Sequence, residues 1–260
     1  MFFYGKTDVG KRRSANQDNF MIRRYAPDVL YAVVCDGMGG ANGGDVASSV
    51  AVGAFADVLD RAEEKTPSFF GMSGDDLIDL LSAAVTEANR AVYKMASGDS
   101  GLEGMGTTLV AVLVLGQRIF AANVGDSRLY AADRAGVKQI SHDHSLVQEA
   151  VDAGRITPEQ AKTARNRNVI TRCVGTYRTV DPDFFEAEAA PGTVLILCSD
   201  GLTNHVDPEE IREIVCRSSP WPDMPVMMNG EAAQAACESL IALANERGGA
   251  DNITAVVLSI

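Results

Sequence analysis

The chain predicts an α+β fold in which antiparallel sheets carry helical layers on their outer faces, and two observations carry that reading. Apolar runs of strand length come in groups of neighbours, and segments of helical period come in pairs between those groups. A parallel sheet would instead alternate single strands with single helices. The 260 residues contain no repeat, low-complexity tract or linker. One domain, 1–260, is therefore expected, and a unit of that size buries about 70–75% of its unfolded surface.

Taken in order, strands are expected at about residues 2–8, 19–25, 29–35, 107–115, 118–124, 127–132, 183–188, 193–198 and 253–259, from alternation and β-branched content between turn residues. A helix over about 45–62 places Val50, Ala54, Phe55, Val58 and Leu59 on one face. A second, over about 75–97, aligns Leu77, Leu81, Ala84, Val85, Ala88 and Val92. Both stripes read as core. Residues 145–170 predict a helical hairpin: a helix through SLVQEAVDAG, then one opened by Thr157, Pro158 and Gln160, the residues of a capped N-terminus. Asp207-Pro208 with Glu210 opens another helix, and the one after Gly230 ends at Gly248-Gly249, as helix C-termini often do. Between these last two, residues 217–230 hold three prolines and Trp221. This segment reads as a loop whose Trp covers the core or marks a docking surface.

Composition excludes several classes. With 46% hydrophobic and 22% charged residues the chain is ordinary for a globular protein. The apolar run Leu109 to Gly116 stops at Gln117 and Arg118, well short of the ~20 residues of a membrane helix. The N-terminus has no signal pattern, and the five scattered cysteines argue for a reducing compartment, so a cytoplasmic location is expected. A net charge of −12 disfavours nucleic acid. Basic residues are uneven: residues 1–24 and 155–178 hold six Lys/Arg each of the 23, with only three of the 35 acidic residues. The two segments either flank one anion-binding mouth or are simply solvated.

Four aspartates mark the ends of apolar runs: Asp36 in LYAVVCDG, Asp126 in FAANVGDS, Asp200 in TVLILCSDG and Asp251 in DNITAVVLSI. Asp-Gly after such a run is also a hairpin signal, but Asp36 is followed by GMGGANGGD, not by a second strand. Short carboxylates from four strands can converge on a hard divalent cation such as Mg²⁺ or Mn²⁺. Ahead of them, DVGKRRSANQDNF places Lys11, Arg12 and Arg13 near Asp18, and the planar fork of Arg suits phosphate oxygens.

DVGKRRSANQDNF, CDGMGGANGG, MGTTL, NVGDSRLY, HDHS, NRNVITRCVGT, LILCSDGLTNHV and GGADNIT resemble, in this order, the motif series of bacterial metal-dependent serine/threonine phosphatases of the protein phosphatase 2C family. The resemblance implies a four-layer α-β-β-α sandwich with a helical flap over about 145–170. It also implies two or three Mn²⁺ or Mg²⁺ ions and hydrolysis of phosphoserine and phosphothreonine in proteins. Position by position, Asp36 would bridge two cations and the Gly37 carbonyl would bind one of them. Asp200 and Asp251 would complete the other cation's shell, Asp18 would act mainly through metal-bound water, and Asp126 would serve a weaker third site. Arg13 would hold the phosphoryl group. Phosphoproteins are the implied substrates, a serine/threonine kinase the implied partner, and a monomer the expected state.

The sequence departs from the family in places. Met38 stands where eukaryotic members carry a proton-donating His, and a thioether donates no proton. A metal-bound water is the first candidate for the donor, with His144 or His142 behind it and a structural role the better reading of both histidines. Ala164 and Arg165 replace a His-Pro pair of many bacterial flaps, and Gln17 replaces a Glu. Two rival readings differ in kind: a phosphatase fold retaining only binding, and a nucleotide enzyme using DGMGGANGGD as a phosphate loop. Asp36, Asp200 and Asp251 are all present, against the first. No GxxxxGK[ST] exists, against the second.

Overall fold

The computed structural model describes residues 1–220, 225, 226 and 228–260, and gives 40–42 as backbone only. Eleven strands, β1 (Phe2–Asp8), β2 (Asp18–Ala26), β3 (Val29–Met38), β4 (Gly106–Thr107), β5 (Leu109–Leu115), β6 (Arg118–Val124), β7 (Arg128–Ala132), β8 (Val137–Gln139), β9 (Asp183–Glu188), β10 (Val194–Cys198) and β11 (Ile253–Ser259), form two sheets among the described residues. The first has the order β2-β3-β5-β6-β9, with β4 added to β3; the second has β1-β11-β10-β7-β8. The pairings are antiparallel. Helices α1 (Gly40–Lys65) and α2 (Gly74–Gly98) cover the first sheet, and α6 (Pro208–Ser218) and α7 (Gly230–Glu246) cover the second. The short helices α3 (Leu146–Asp152) and α4 (Pro158–Thr163) form the flap, and α5 (Asp200–Thr203) follows β10. This is the expected α-β-β-α sandwich.

Strand periodicity explains the layers. In β3, Val29, Tyr31, Val33 and Cys35 face the helices, while Leu30, Ala32 and Val34 face the other sheet. In β10, Val194, Ile196 and Cys198 face α6 and α7, while Leu195 and Leu197 enter the core between the sheets. A strand buried on both faces must be apolar at every position, which is why these runs are continuous. Each such side chain contributes about 1.5–3 kcal/mol on burial.

The helix caps form as read. Thr157 and Gln160 make a capping box at α4, and Asp207 and Glu210 make one at α6. Val226 and Met228 are buried on the second sheet's helical side, whereas Trp221 lies outside the described residues.

The reading of the aspartates as strand ends needs correction. Asp36 lies inside β3, which runs on to Met38 and pairs with β4. Asp18 opens β2 and stands opposite Asp36. Asp200 is the first residue of α5, with Ser199 as N-cap. Asp126 and Asp251 occupy turns beside β6 and β11. Two backbone approaches explain the glycines around Asp36. A Cβ on Gly37 would stand 1.9 Å from the Gly44 carbonyl oxygen, and Gly39 has φ 129 at the cap of α1.

Candidate active site

Asp36, Asp126, Asp200 and Asp251 line one cleft of ≈ 510 Å³, together with Arg13, Gln17, Gly37, Met38, Thr108, Asn168 and Ile170. Asp18 is buried beside them. The sequence-predicted site residues thus come from both sheets, and the flap root supplies Asn168 and Ile170. Lys11, Arg12 and Arg165 do not line the cleft.

Polar neighbours fix the position of each carboxylate. Thr108 Oγ1 accepts from the Asp36 amide at 2.9 Å, and Thr107 Oγ1 donates to the Asp36 carbonyl at 2.9 Å. The MGTTL motif therefore braces the backbone of Asp36. Asn204 Nδ2 donates to Asp200 Oδ2 at 3.0 Å, from one turn along α5. Asp251 Oδ2 accepts from Arg13 Nη2 at 2.8 Å. Asn252, which the sequence reading quoted without a role, ties down the loop carrying Arg13: its Nδ2 donates to the carbonyls of Val9 and Ala15, and its Oδ1 accepts from the Gln17 amide.

Charge is crowded here. Burial, then the charges of Asp18 and Asp200, raise Asp36 well above the usual carboxylate range. Burial and the charges of Asp200 and Asp251 raise Asp18 to about 7, against hydroxyl bonds from Thr254 and Ser199 that lower it. Burial, Asp200 and Asp143 raise Asp126 to about 7. Burial and Asp251 raise Asp200. Oδ1 of Asp18 and Oδ1 of Asp200 are buried without a hydrogen-bond partner. Orphaned buried acceptors in a bunch of like charges are costly, and a divalent cation is a partner of matching charge and hardness. Among the described residues no three carboxylate, imidazole or thiol groups form a ready-made metal cage.

Neither flap-side histidine reaches the cleft. His144 is buried; its Nδ1 accepts from the Gly125 amide and its Nε2 lies 3.2 Å from Asp183. Burial lowers its pKa. His142 pairs with Asp152. Among the described residues no imidazole lines the cleft, so the structural reading of both is the better one. The sequence reading also passed over Arg128. It grips Asp143 with two guanidinium nitrogens, at 3.0 and 2.7 Å, and donates to the Tyr130 hydroxyl, which anchors the HDHS loop leading to the flap. A second groove of ≈ 560 Å³ runs beneath the flap and shares Asp126, Asn168 and Asp200 with the first; Lys162 and Arg167 line it. Lys162 joins the flap to Asp207 at the start of α6, at 2.7 Å.

Protons and cations compete for these oxygens. Asp18 and Asp126 sit near 7 in the fold, against an ordinary 3.8. The metal-free fold therefore holds more protons than the unfolded chain between those values. Its contribution to stability is complete below the lower value and lost as pH rises through the upper. The increase in Tm produced by a fixed Mn²⁺ concentration should grow from about pH 5.5 to about pH 8. A pH-independent increase in calorimetric scans would show that Mn²⁺ does not use these carboxylates.

A carboxylate-lined cleft at one end of an α-β-β-α sandwich defines a class, the metal-dependent phosphoester hydrolases of this architecture, and comparison with known proteins narrows it. Residues 9–246 match the family model described as Protein phosphatase 2C. Serine/threonine phosphatase stp of Listeria monocytogenes is 33% identical over 253 residues, covering 97% of this chain and 93% of the relative. Serine/threonine protein phosphatase PstP of Mycobacterium tuberculosis is 37% identical over 254 residues, covering 96% of this chain and 45% of the relative. Among solved structures, Stp1 from Staphylococcus aureus superposes with a TM-score of 0.83 at 32% identity, covering 99% of this chain and 94% of that one. The catalytic domain of PstP, solved in complex with 2 manganese ions, gives 0.76 at 36% identity, covering 98% and 96%. The chain belongs to the protein phosphatase 2C family. It is a metal-dependent protein-serine/threonine phosphatase, and its substrates are phosphoproteins. Among the described residues no helix is long and apolar enough to cross a membrane.

Proposed function

We propose that this single catalytic domain, 1–260, holds two Mn²⁺ or Mg²⁺ ions on Asp36, the Gly37 carbonyl, Asp200 and Asp251, with Asp18 in support. Asp126 serves a weaker third cation. The observation that carries this is the pair of orphaned buried oxygens, Oδ1 of Asp18 and Oδ1 of Asp200, beside the cleft that Asp36, Asp126 and Asp251 also line. Bound there, the cations supply a water acid enough to attack phosphorus near neutral pH and positive charge to offset that of the phosphoryl oxygens. Arg13 stands at the same mouth and swings from Asp251 to take the phosphoryl group. The Met38 thioether donates no proton and no imidazole lines the cleft among the described residues. The leaving serine or threonine oxygen therefore takes its proton from water.

The phosphoproteins are supplied by a cognate serine/threonine kinase, and the enzyme acts as a cytoplasmic monomer. The five free thiols, with Cys35, Cys198 and Cys237 buried, support a reducing compartment. Calorimetric titration with Mn²⁺ tests the count and the assignment. Two tighter cations and one weaker are expected per chain, and Asp126→Asn should remove the weaker one only. Fewer than two cations, or an unchanged titration of the variant, would overturn this reading.

A further inference from the structure

Asp18 belongs to the first sheet, yet the groups that hold it belong to the second. Ser199 Oγ, beyond the end of β10, and Thr254 Oγ1, in β11, each donate to Asp18 Oδ2 at 2.7 Å. Both hydroxyls are thus directed at that one oxygen. Ser199 Oγ in turn accepts from the Thr254 amide at 2.9 Å. Thr254 Oγ1 lies 2.7 Å from Thr7 Oγ1. Thr254 Oγ1 is the donor of that bond as well, so its one proton serves Asp18 and Thr7 in alternation, while Thr7 Oγ1 also accepts from Asn16 Nδ2 at 2.8 Å. Asn16, Thr7, Thr254 and Ser199 thus form one polar cluster around Oδ2. Oδ1 of the same carboxylate is buried and has no partner.

We propose that Ser199 and Thr254 are positioning residues of the metal site: by occupying Oδ2 of Asp18 they leave Oδ1 as the oxygen presented to the cation and its waters. The packing of one sheet against the other then sets metal affinity, because the ligand and its clamp are on different sheets. This rests on the reading of Asp18 as a residue that serves the cation. Hydrogen bonds to a ligand's second oxygen fix its orientation, and losing such a partner commonly costs 10- to 100-fold in metal affinity.

The test is the Mn²⁺ dissociation constant of the purified full chain, measured calorimetrically with no substrate present. Thr254→Val removes the hydroxyl at nearly constant volume and should weaken Mn²⁺ about 10-fold. Thr254→Ser keeps the hydroxyl and should bind as the wild type does. In an Asp18→Asn background Thr254→Val should add no further loss, because the hydroxyl acts through that carboxylate. Wild-type affinity in folded Thr254→Val, or losses that add in the double variant, would overturn the proposal. Wild-type affinity in Asp18→Asn would instead overturn the assignment of Asp18 itself. Should Thr254→Val not fold, Ser199→Ala removes the other hydroxyl and is read in the same way. Failure of both to fold would place the hydroxyls in the stability of the sandwich and count against the proposal.

Discussion

Asp36→Asn should lower kcat for a phosphothreonine peptide by about 10³-fold or more while the chain stays folded. Asn has nearly the size of Asp, and the Asp36 backbone is held by Thr107 and Thr108, not by its own side chain. The carboxylate stands opposite Asp18 across β2 and β3, and like charges placed so are destabilising. Removing one should leave the metal-free Tm unchanged or raise it. Mn²⁺ affinity should fall in the same variant, because a carboxylate proposed to hold the cations has lost its charge. Two readouts thus fall, turnover and metal affinity, while the third, metal-free stability, stays level or rises. A general loss of structure would lower all three. Near-wild-type turnover, in assays with saturating Mn²⁺, would mean that Asp36 is a turn residue that does not serve the metal.

Much of the sandwich was legible because a strand buried on both faces has to be largely apolar: β5 and β10 are so at every position, and β3 is so from Val29 to Cys35. What escaped has identifiable causes. Edge strand β8 is only three residues, and α5 only four, both too short to establish a period. Helix α1 begins at Gly40, ahead of the expected start at Asp45, because glycine is a poor helix former and the reading stopped at GGANGG. Tertiary contact explains those glycines: a Cβ on Gly43 would meet Met105 at 2.9 Å and one on Gly44 would meet Gln17 at 2.7 Å.

The carboxylates of the site were legible by the same logic, since a charge at the end of an apolar run must have a reason. Their partners were not. Nothing in DNIT says that Asn252 ties down a loop or that Thr254 reaches a carboxylate of the other sheet. Those contacts bridge more than 230 residues and depend on register. For His144 the structural role, the better of its two readings, is the one the fold gives it. HDHS sits near the site in sequence, but the strand pairing turns that imidazole toward Gly125 and Asp183.

Arg13→Ala should reduce kcat/KM by about 10²-fold on a small aryl phosphate and on a phosphopeptide alike, the usual cost of removing one preorganised donor from a developing charge. The loss should be common to both substrates because the guanidinium meets the phosphoryl group that they share. Its effect on the metal should have the opposite sign. Arg13 Nη2 lies 2.8 Å from Asp251 Oδ2, with the two side chains 52% and 32% exposed. An exposed ion pair of this kind contributes little to stability, so the fold should be indifferent to its loss. Asp251, once released, is freer to meet a cation, and Mn²⁺ affinity should hold or rise. Arg13→Lys should fall between, because an ammonium keeps the charge but not the two parallel hydrogen bonds. Steady-state kinetics on both substrates, alongside a Mn²⁺ titration of each variant, separates the possibilities. If Arg13→Ala binds Mn²⁺ more weakly and regains full activity when Mn²⁺ is raised, Arg13 supports the metal site and does not hold phosphate. If it keeps wild-type turnover on both substrates, the guanidinium is only the counter-ion of Asp251.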